Sequence, residues 1–178
     1  MQAENVHDRY QEMTGAIIQE MVAAAFSKKN GEKKNWDGLV ENIQEVFGLS
    51  IDWTSPEQAS AETVEKKIAR VVLDKHTQLE EEWGEEIRIR MEKSLMLKTL
   101  DQVWIAHLNA MDHLRSGIHL QAYGQKDPLN EYRHEAFVMF KGMKSQWYRN
   151  FLTLYFHANP EHVEDYEEDD EDIDALLK

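Results

Sequence analysis

The fold is decided by residues 91–143, which read MEKSLMLKTLDQVWIAHLNAMDHLRSGIHLQAYGQKDPLNEYRHEAFVMFKGM. Two helical patterns flank a short break, in which Tyr123 is the one aromatic residue among small and polar neighbours. On both sides of the break, apolar side chains recur at steps of three and four, the spacing of one face of an amphipathic helix. The two stripes consist of Leu97, Leu100, Trp104, Leu108, Met111, Leu114 and Ile118, then Ala136, Phe140, Met143, Trp147, Phe151 and Leu154.

These two segments are expected to fold back on each other as a long antiparallel helical hairpin. Each helix has an apolar stripe to bury, and the other helix is its nearest partner across a short connection. We expect the hairpin to carry its loop away from the rest of the domain. Its predicted core consists of Leu100, Trp104, Met111, Phe140 and Trp147.

The segments before the hairpin also have helical patterns. One helix is predicted to end at Phe26, and a polar stretch follows it. A short helix is predicted from Trp36 to Phe47, with Gly48 as its C-cap. The next helix has two candidate N-caps, Ser55 followed by Pro56, and Ser60.

Two further signals set the limits of the hairpin helices. Gly84 is the one candidate break before the hairpin, so the sequence predicts either a kink there or one helix that continues to Gly117. After the loop, Asp127 is a natural N-cap and Pro128 suits the first helical position. The second helix is predicted to end between His157 and Pro160.

Composition favours an all-α fold, since only three prolines and eight glycines interrupt 178 residues and strand-like alternation is nearly absent. Formal net charge is −14. Ten acidic residues and one lysine at 161–178 supply −9 of it, so we expect a disordered acidic tail. The remaining charge of −5 argues against nucleic-acid binding and against electrostatic attraction to a membrane.

Several classes of protein are excluded by what the sequence lacks. It has no cysteine, which excludes disulfides, zinc knuckles and thiol catalysis. It has neither an apolar run long enough to span a membrane nor the pattern of a signal peptide. A cytoplasmic protein is the resulting expectation.

The run LKTLDQVWIAHLNAMDHLRSGIHLQAYGQKDPLNEYRHEAF resembles the two-helix finger of SecA, the bacterial preprotein-translocase motor. The similarity extends in order over nearly the whole chain. It implies that residues 1–26 are the end of a long scaffold helix, 27–79 a small helical wing domain and 80–158 the two-helix finger, followed by the acidic tail at 159–178.

The same resemblance implies a function. The finger tip would be Tyr123 with Gln125 and Lys126, and it would contact the translocating polypeptide and the SecY channel. The other partners implied are the SecA motor domains, and a homodimer is left open. The protein would be cytoplasmic and peripherally associated with the inner membrane. The sequence has no GxxxxGK[S/T] phosphate loop, so ATP and Mg²⁺ are expected only in motor domains outside this chain. The chain itself is expected to have no catalytic, cofactor-binding or metal-binding residues.

Two other classes of function remain open from the residues alone. One is a stand-alone helical adaptor that lacks a motor. The other is a carboxylate-bridged di-metal bundle enzyme, because Glu4 with His7 and Glu131 with His134 both form the E-x-x-H spacing that places two ligands on one helix face.

Overall fold

A computed structural model describes residues 3–27, 35–53, 59–118 and 127–159. These residues form four helices, and no strand occurs among them, which confirms the all-α prediction. The helices are α1 (Ala3–Phe26), α2 (Trp36–Phe47), α3 (Ala61–Gly117) and α4 (Pro128–His157).

Helix α2 begins at a side-chain cap, Asn35, and ends at a backbone cap, Gly48. The Asn35 side-chain oxygen accepts a hydrogen bond from the Gly38 N–H at 3.0 Å and so satisfies one of the free N–H groups of the first turn. At the other end, Gly48 adopts a left-handed conformation with φ 62° and donates its N–H to the Gln44 carbonyl at 3.0 Å. This geometry confirms the predicted glycine C-cap, because a residue with a Cβ rarely adopts it.

Both long helices begin at polar caps. The Ser60 hydroxyl accepts from the Thr63 N–H at 3.2 Å, so Ser60 is the N-cap of α3. The competing start at Ser55 lies outside the described residues. On α4, the Asp127 carboxylate accepts from the Leu129 N–H at 3.0 Å, and proline occupies the first helical position as predicted.

One hydrophobic core joins all four helices at one end of the molecule, which we call the base. The base comprises α1, α2, residues 61–83 of α3 and residues 147–157 of α4, and Met91, Leu95 and Met96 at the start of the hairpin pack into the same core. Its fully buried side chains come from every one of these elements, and the largest include Met13, Ile17, Leu39, Ile43, Phe47, Ile68, Phe151, Leu152 and Tyr155. The last turns of α4 therefore belong to the base, although the chain enters them from the hairpin.

Helix α3 kinks at Gly84, which separates two helical segments, so of the two predicted outcomes the kink is the one observed. Gly84 has φ 75° and ψ 163°, a backbone region that only glycine adopts readily. A Cβ built there would meet no atom within 4 Å, so the requirement for glycine comes from the backbone and not from crowding. Beyond the kink, α3 still packs on the base core as far as Met96 and then extends away from it.

Residues 84–117 of α3 and 128–146 of α4 form the hairpin. Its buried row on α3 consists of Met91, Glu92, Leu95, Met96, Thr99 and Val103. This row lies on a different face from the predicted stripe, so Trp104 and Phe140 are 42% and 46% exposed. Their assignment to a hairpin core was therefore wrong. Apart from the contacts of α1 with Lys144 and Ser145, the two helices pack on each other through one interface, and large apolar side chains on their other faces stay exposed.

Candidate functional site

The hairpin is the feature that sets this fold apart from an ordinary helical bundle. Its helices run antiparallel, since Met96 pairs with Trp147 near the base while Ala110 and Met139 line one groove farther out. From Met96 to Gly117 the helix rises by about 30 Å, at 1.5 Å per residue. The described end of α3 at Gly117 thus lies far from the base.

The residues predicted to form the tip are Tyr123, Gln125 and Lys126, and all three lie outside the described residues. The structure describes the chain up to Ile118, at the end of α3, and again from Asp127, the cap of α4. The contacts of the three tip residues therefore stay predictions.

Where the hairpin meets the base, both polar and apolar contacts hold α4 against α3. The Trp147 indole N–H donates to the Met96 carbonyl at 3.2 Å and anchors α4 to α3. Of the other predicted core residues, Leu100 and Met111 are half-buried, as is Trp147 itself. Between Val103 and Gly117 no residue of α3 is fully buried, whereas Ile118 at the end of the helix is buried again.

Large apolar side chains are exposed on both hairpin helices. Trp104, His107 and Phe140 form a chain of ring contacts, with centroids 5.7 and 6.1 Å apart, along one side. The exposed set is Ile87, Ile89, Leu97, Trp104, Ile105 and Leu108 on α3, and Leu129, Phe137, Val138 and Phe140 on α4. Extended exposed apolar surface is typical of a protein region that contacts other polypeptides.

A polar contact ties α4 to α1 where the hairpin meets the base. The Lys144 ammonium and the Tyr148 hydroxyl both donate to one carboxylate oxygen of Glu12, at 2.8 and 2.9 Å. These hydrogen bonds hold the pKa of Glu12 below its usual value. The hydrogen bonds with Glu12 and Tyr148 also raise the pKa of Lys144 to about 12.

A second polar cluster surrounds the kink and is mostly buried. Arg88, just beyond Gly84, donates to both carboxylate oxygens of Glu92 at 2.8 and 2.9 Å, and its Nε lies 3.2 Å from a Glu80 oxygen. His76 lies between the same two carboxylates, with ring nitrogens 3.7 Å from Glu80 and 4.0 Å from Glu92. Glu92 and His76 are 2% and 1% exposed.

Aromatic rings from two other helices close this cluster. The Tyr10 ring of α1 stacks on His76 with centroids 3.9 Å apart, and the Tyr155 ring of α4 lies 5.6 Å from His76. Burial raises the pKa of both tyrosine hydroxyls, so both stay neutral. Sequence reasoning missed this cluster, although the i, i+4 spacing of His76 with Glu80 and of Arg88 with Glu92 was visible.

A metal centre has no support in the part of the chain that is described. Within those residues no three His, Asp or Glu side chains are grouped so as to hold an ion. Glu131 lies in the first turn of α4, about 20 Å along the helix from Lys144, where α1 crosses it. The side chains of Glu4 and His7 lie outside the described set. No helix in the described ranges is long and apolar enough to cross a membrane.

Comparison with known proteins gives a consistent result. The family described as "SecA Wing and Scaffold domain" matches residues 1–159. The chain is 38% identical over 163 residues to the protein translocase subunit SecA of Acidiphilium cryptum, a match that covers 89% of this chain and 18% of that protein. Its identity to the subunit of the same name from Desulfotalea psychrophila is 38% over 140 residues, 76% of this chain and 16% of the other.

A third relative extends the match further along the chain. The protein translocase subunit SecA of Sorangium cellulosum is 32% identical over 166 residues, which cover 93% of this chain and 16% of that protein. The chain therefore spans less than a fifth of the length of these relatives.

Proposed function

The chain belongs to the SecA wing and scaffold family, and from this premise we propose that its hairpin contacts the translocating polypeptide and the SecY channel during ATP-driven protein export. The observation that carries the proposal is the long hairpin, in which α3 rises by about 30 Å from Met96 to Gly117. In the sequence, Tyr123 follows α3 and precedes α4. Such a hairpin separates a contact site from the body that supports it.

The chemistry of the proposed tip suits a contact with unrelated polypeptides. A tyrosine offers a broad apolar face and one hydrogen-bonding hydroxyl, so Tyr123 can pack on varied side chains without requiring a sequence. Gln125 and Lys126 add donors that are able to meet backbone carbonyls or acidic groups at a channel mouth. The exposed apolar side chains of the hairpin, including Trp104 and Phe140, supply further surface for the channel or for the motor domains.

In this proposal the chain is a mechanical and scaffolding part. ATP and Mg²⁺ bind in motor domains outside this segment, and the hairpin transmits their motion to the substrate. The protein acts at the cytoplasmic face of the membrane and associates with it through the channel. Nucleic acid is not a partner, because the segment is acidic and a nucleic-acid-binding face is basic.

The decisive experiment replaces Tyr123 in the intact translocase. Tyr123→Ala is expected to impair preprotein transport while basal ATP hydrolysis continues, because the tip contacts substrate and takes no part in hydrolysis. Tyr123→Met should retain more transport than Tyr123→Gly, since bulk and apolar contact are what the position supplies. Tyr166→Ala, at a tyrosine in the acidic tail, is the matched control and should leave transport unchanged.

Crosslinking provides a direct readout of the contact. The segment contains no cysteine, so Tyr123→Cys introduces one defined attachment point within it. A crosslink from position 123 to a stalled translocating chain or to the channel is the expected result. Normal transport by Tyr123→Ala, together with no crosslink at position 123, would overturn the proposal.

A further inference from the structure

The kink at Gly84 joins the base to the hairpin, and the backbone alone does not fix its angle. Gly84 has no side chain to pack, and no heavy atom would lie within 4 Å of a Cβ placed there. A glycine in open space has a wide choice of φ and ψ. Something other than residue 84 must therefore hold α3 in the observed bend.

Arg88 is placed to do this, because it pairs with a carboxylate on each side of the kink. Glu80 lies before Gly84 in the base, and Glu92 lies after it in the hairpin. Arg88 is within 3.2 Å of the first and 2.8 Å of the second. A guanidinium presents donors along two edges of a rigid plane, so it can engage two carboxylates at once.

The surroundings of this bridge make it sensitive to geometry. Glu92 is almost fully buried, and the side chain of Arg88 is only 14% exposed. Burial by itself would lower the pKa of Arg88, but the hydrogen bond to Glu92 and the charges of Glu92 and Glu80 outweigh it and raise the pKa. Arg88 and Glu92 both follow Gly84 on one helical segment, so they stay paired when the kink angle changes. A different bend would instead separate this pair from Glu80, which lies 3.2 Å from Arg88 and precedes the kink.

His76 and two aromatic rings attach the bridge to the rest of the base. The imidazole lies between Glu80 and Glu92, with the Tyr10 ring of α1 and the Tyr155 ring of α4 beside it. The cluster thus touches α1, both halves of α3, and α4. A change in the kink angle would disturb the two contacts of this cluster that join residues on opposite sides of Gly84, namely Arg88 with Glu80 and His76 with Glu92.

We infer that Arg88 is a positioning residue that locks the kink at Gly84 and so sets the direction in which the hairpin leaves the base. In the translocase this lock would transmit force from the base to the tip. The second statement rests on the proposed function, whereas the first concerns this chain alone.

The test measures a distance between the base and the hairpin, which changes with the kink angle. Because the chain has no cysteine, Glu45→Cys on α2 and Asn109→Cys on the hairpin give two spin-label sites, both on exposed positions. Double electron–electron resonance on this doubly labelled protein should give one narrow distance distribution. Arg88→Lys keeps the charge but offers a single ammonium, so it should broaden or shift that distribution while the helical circular dichroism is retained. Arg70→Lys, an exposed arginine on the same helix, is the matched control and should match the parent.

A second variant keeps the inference testable if Arg88→Lys fails to fold. Arg88→Gln combined with Glu92→Gln removes both buried charges while nearly keeping side-chain size, and it should show the same broadening. If either folded variant gives the distance distribution of the parent, the inference is overturned.

The transport assay separates this inference from the proposed function. In the intact translocase, Arg88→Lys should lower transport and leave basal ATP hydrolysis unchanged. A broadened distance with normal transport by Tyr123→Ala would refute the role of the tip and leave the lock standing. An unchanged distance with impaired transport by Tyr123→Ala would refute the lock alone.

Discussion

The indole N–H of Trp147 donates to the main-chain carbonyl of Met96 at 3.2 Å, across the interface of the two longest helices. The carbonyl belongs to α3 just beyond the kink, and the tryptophan lies on α4 where that helix enters the base. The bond therefore fixes the register of α4 against α3 where the hairpin meets the base. It is a specific polar contact in an interface that also buries Leu95 and Val103.

Removing this bond should lower the stability of the α3–α4 interface where the hairpin meets the base, without unfolding the chain. Trp147→Phe keeps an aromatic ring but has no donor, so we expect a loss of about 0.5–1.5 kcal/mol of unfolding free energy, the usual net value of one hydrogen bond. Urea unfolding followed by circular dichroism is the measurement. Trp104→Phe, at an exposed tryptophan on the same hairpin, is the control and should change stability by less. Equal effects at both positions would contradict the role given to the Trp147 bond.

Two phenylalanines on α4 separate the base core from the hairpin surface. Phe151 is fully buried and Phe140 is 46% exposed. Phe151→Ala should cost about 3–5 kcal/mol, because it removes a buried ring and leaves a cavity. Phe140→Ala should stay within about 0.5 kcal/mol, as at other surface positions. Melting curves of the two variants check the contrast, and a large loss at Phe140 would restore the predicted hairpin core.

Local signals in the sequence predicted most of the fold. The glycine cap at Gly48, the Asp127 cap and the proline at position 128 act within one helical turn, so the residues themselves specify them. The kink at Gly84 was recognisable for the same reason. The length of α3 and its antiparallel pairing with α4 followed from the apolar repeats on either side of a short loop.

The sequence could not show which apolar face each helix buries. The stripe through Leu97, Trp104 and Leu108 is apolar, but α4 packs on the row through Leu95, Thr99 and Val103. Periodicity reports that a face is apolar and does not report what lies against it. An exposed apolar stripe and a buried one therefore look alike in sequence.

The polar contacts at the junction of base and hairpin also could not be predicted from the sequence. Glu12 and Lys144 are 132 positions apart, and each reads as an ordinary surface charge. The Arg88 bridge to Glu80 forms only because α3 bends at Gly84. Such contacts depend on tertiary geometry, and a single sequence contains no signal for their pairing.

The isolated chain is predicted neither to bind nor to hydrolyse ATP. It contains no phosphate-binding loop of the form GxxxxGK[S/T], whose backbone N–H groups would hold the phosphates. Calorimetric titration with Mg-ATP should show no binding heat, and a phosphate-release assay should show no turnover. The intact translocase is the positive control. Micromolar binding by the isolated chain would mean that it holds a nucleotide site of a different kind.

The contact between Glu12 and Lys144 should give stability a specific dependence on pH. The pKa of Glu12 is lower in the folded chain than the value of about 4.3 expected for an unfolded glutamate. Its contribution is therefore present above about pH 4.3 and is lost as the pH falls through the lower folded pKa. Lys144, whose pKa is raised to about 12 in the folded chain, gives the opposite sign. Its contribution is complete below the pKa of an unfolded lysine and is lost as the pH rises through the folded pKa of about 12.

Glu12→Gln tests the acidic side of this dependence. Both side chains of the pair are about half exposed, so the substitution should cost only about 0.2–1 kcal/mol at pH 7 and low salt. The difference from the parent should shrink as the pH is lowered from 5 toward 3, where the parent carboxylate also becomes neutral, and it should shrink in 1 M salt because the charges are screened. Glu41→Gln, at an exposed glutamate of α2, is the matched control and should show no such pH-dependent difference. A Glu12→Gln difference that stays constant from pH 7 to pH 3 would mean that the side chain stabilises the junction by packing and not by its charge.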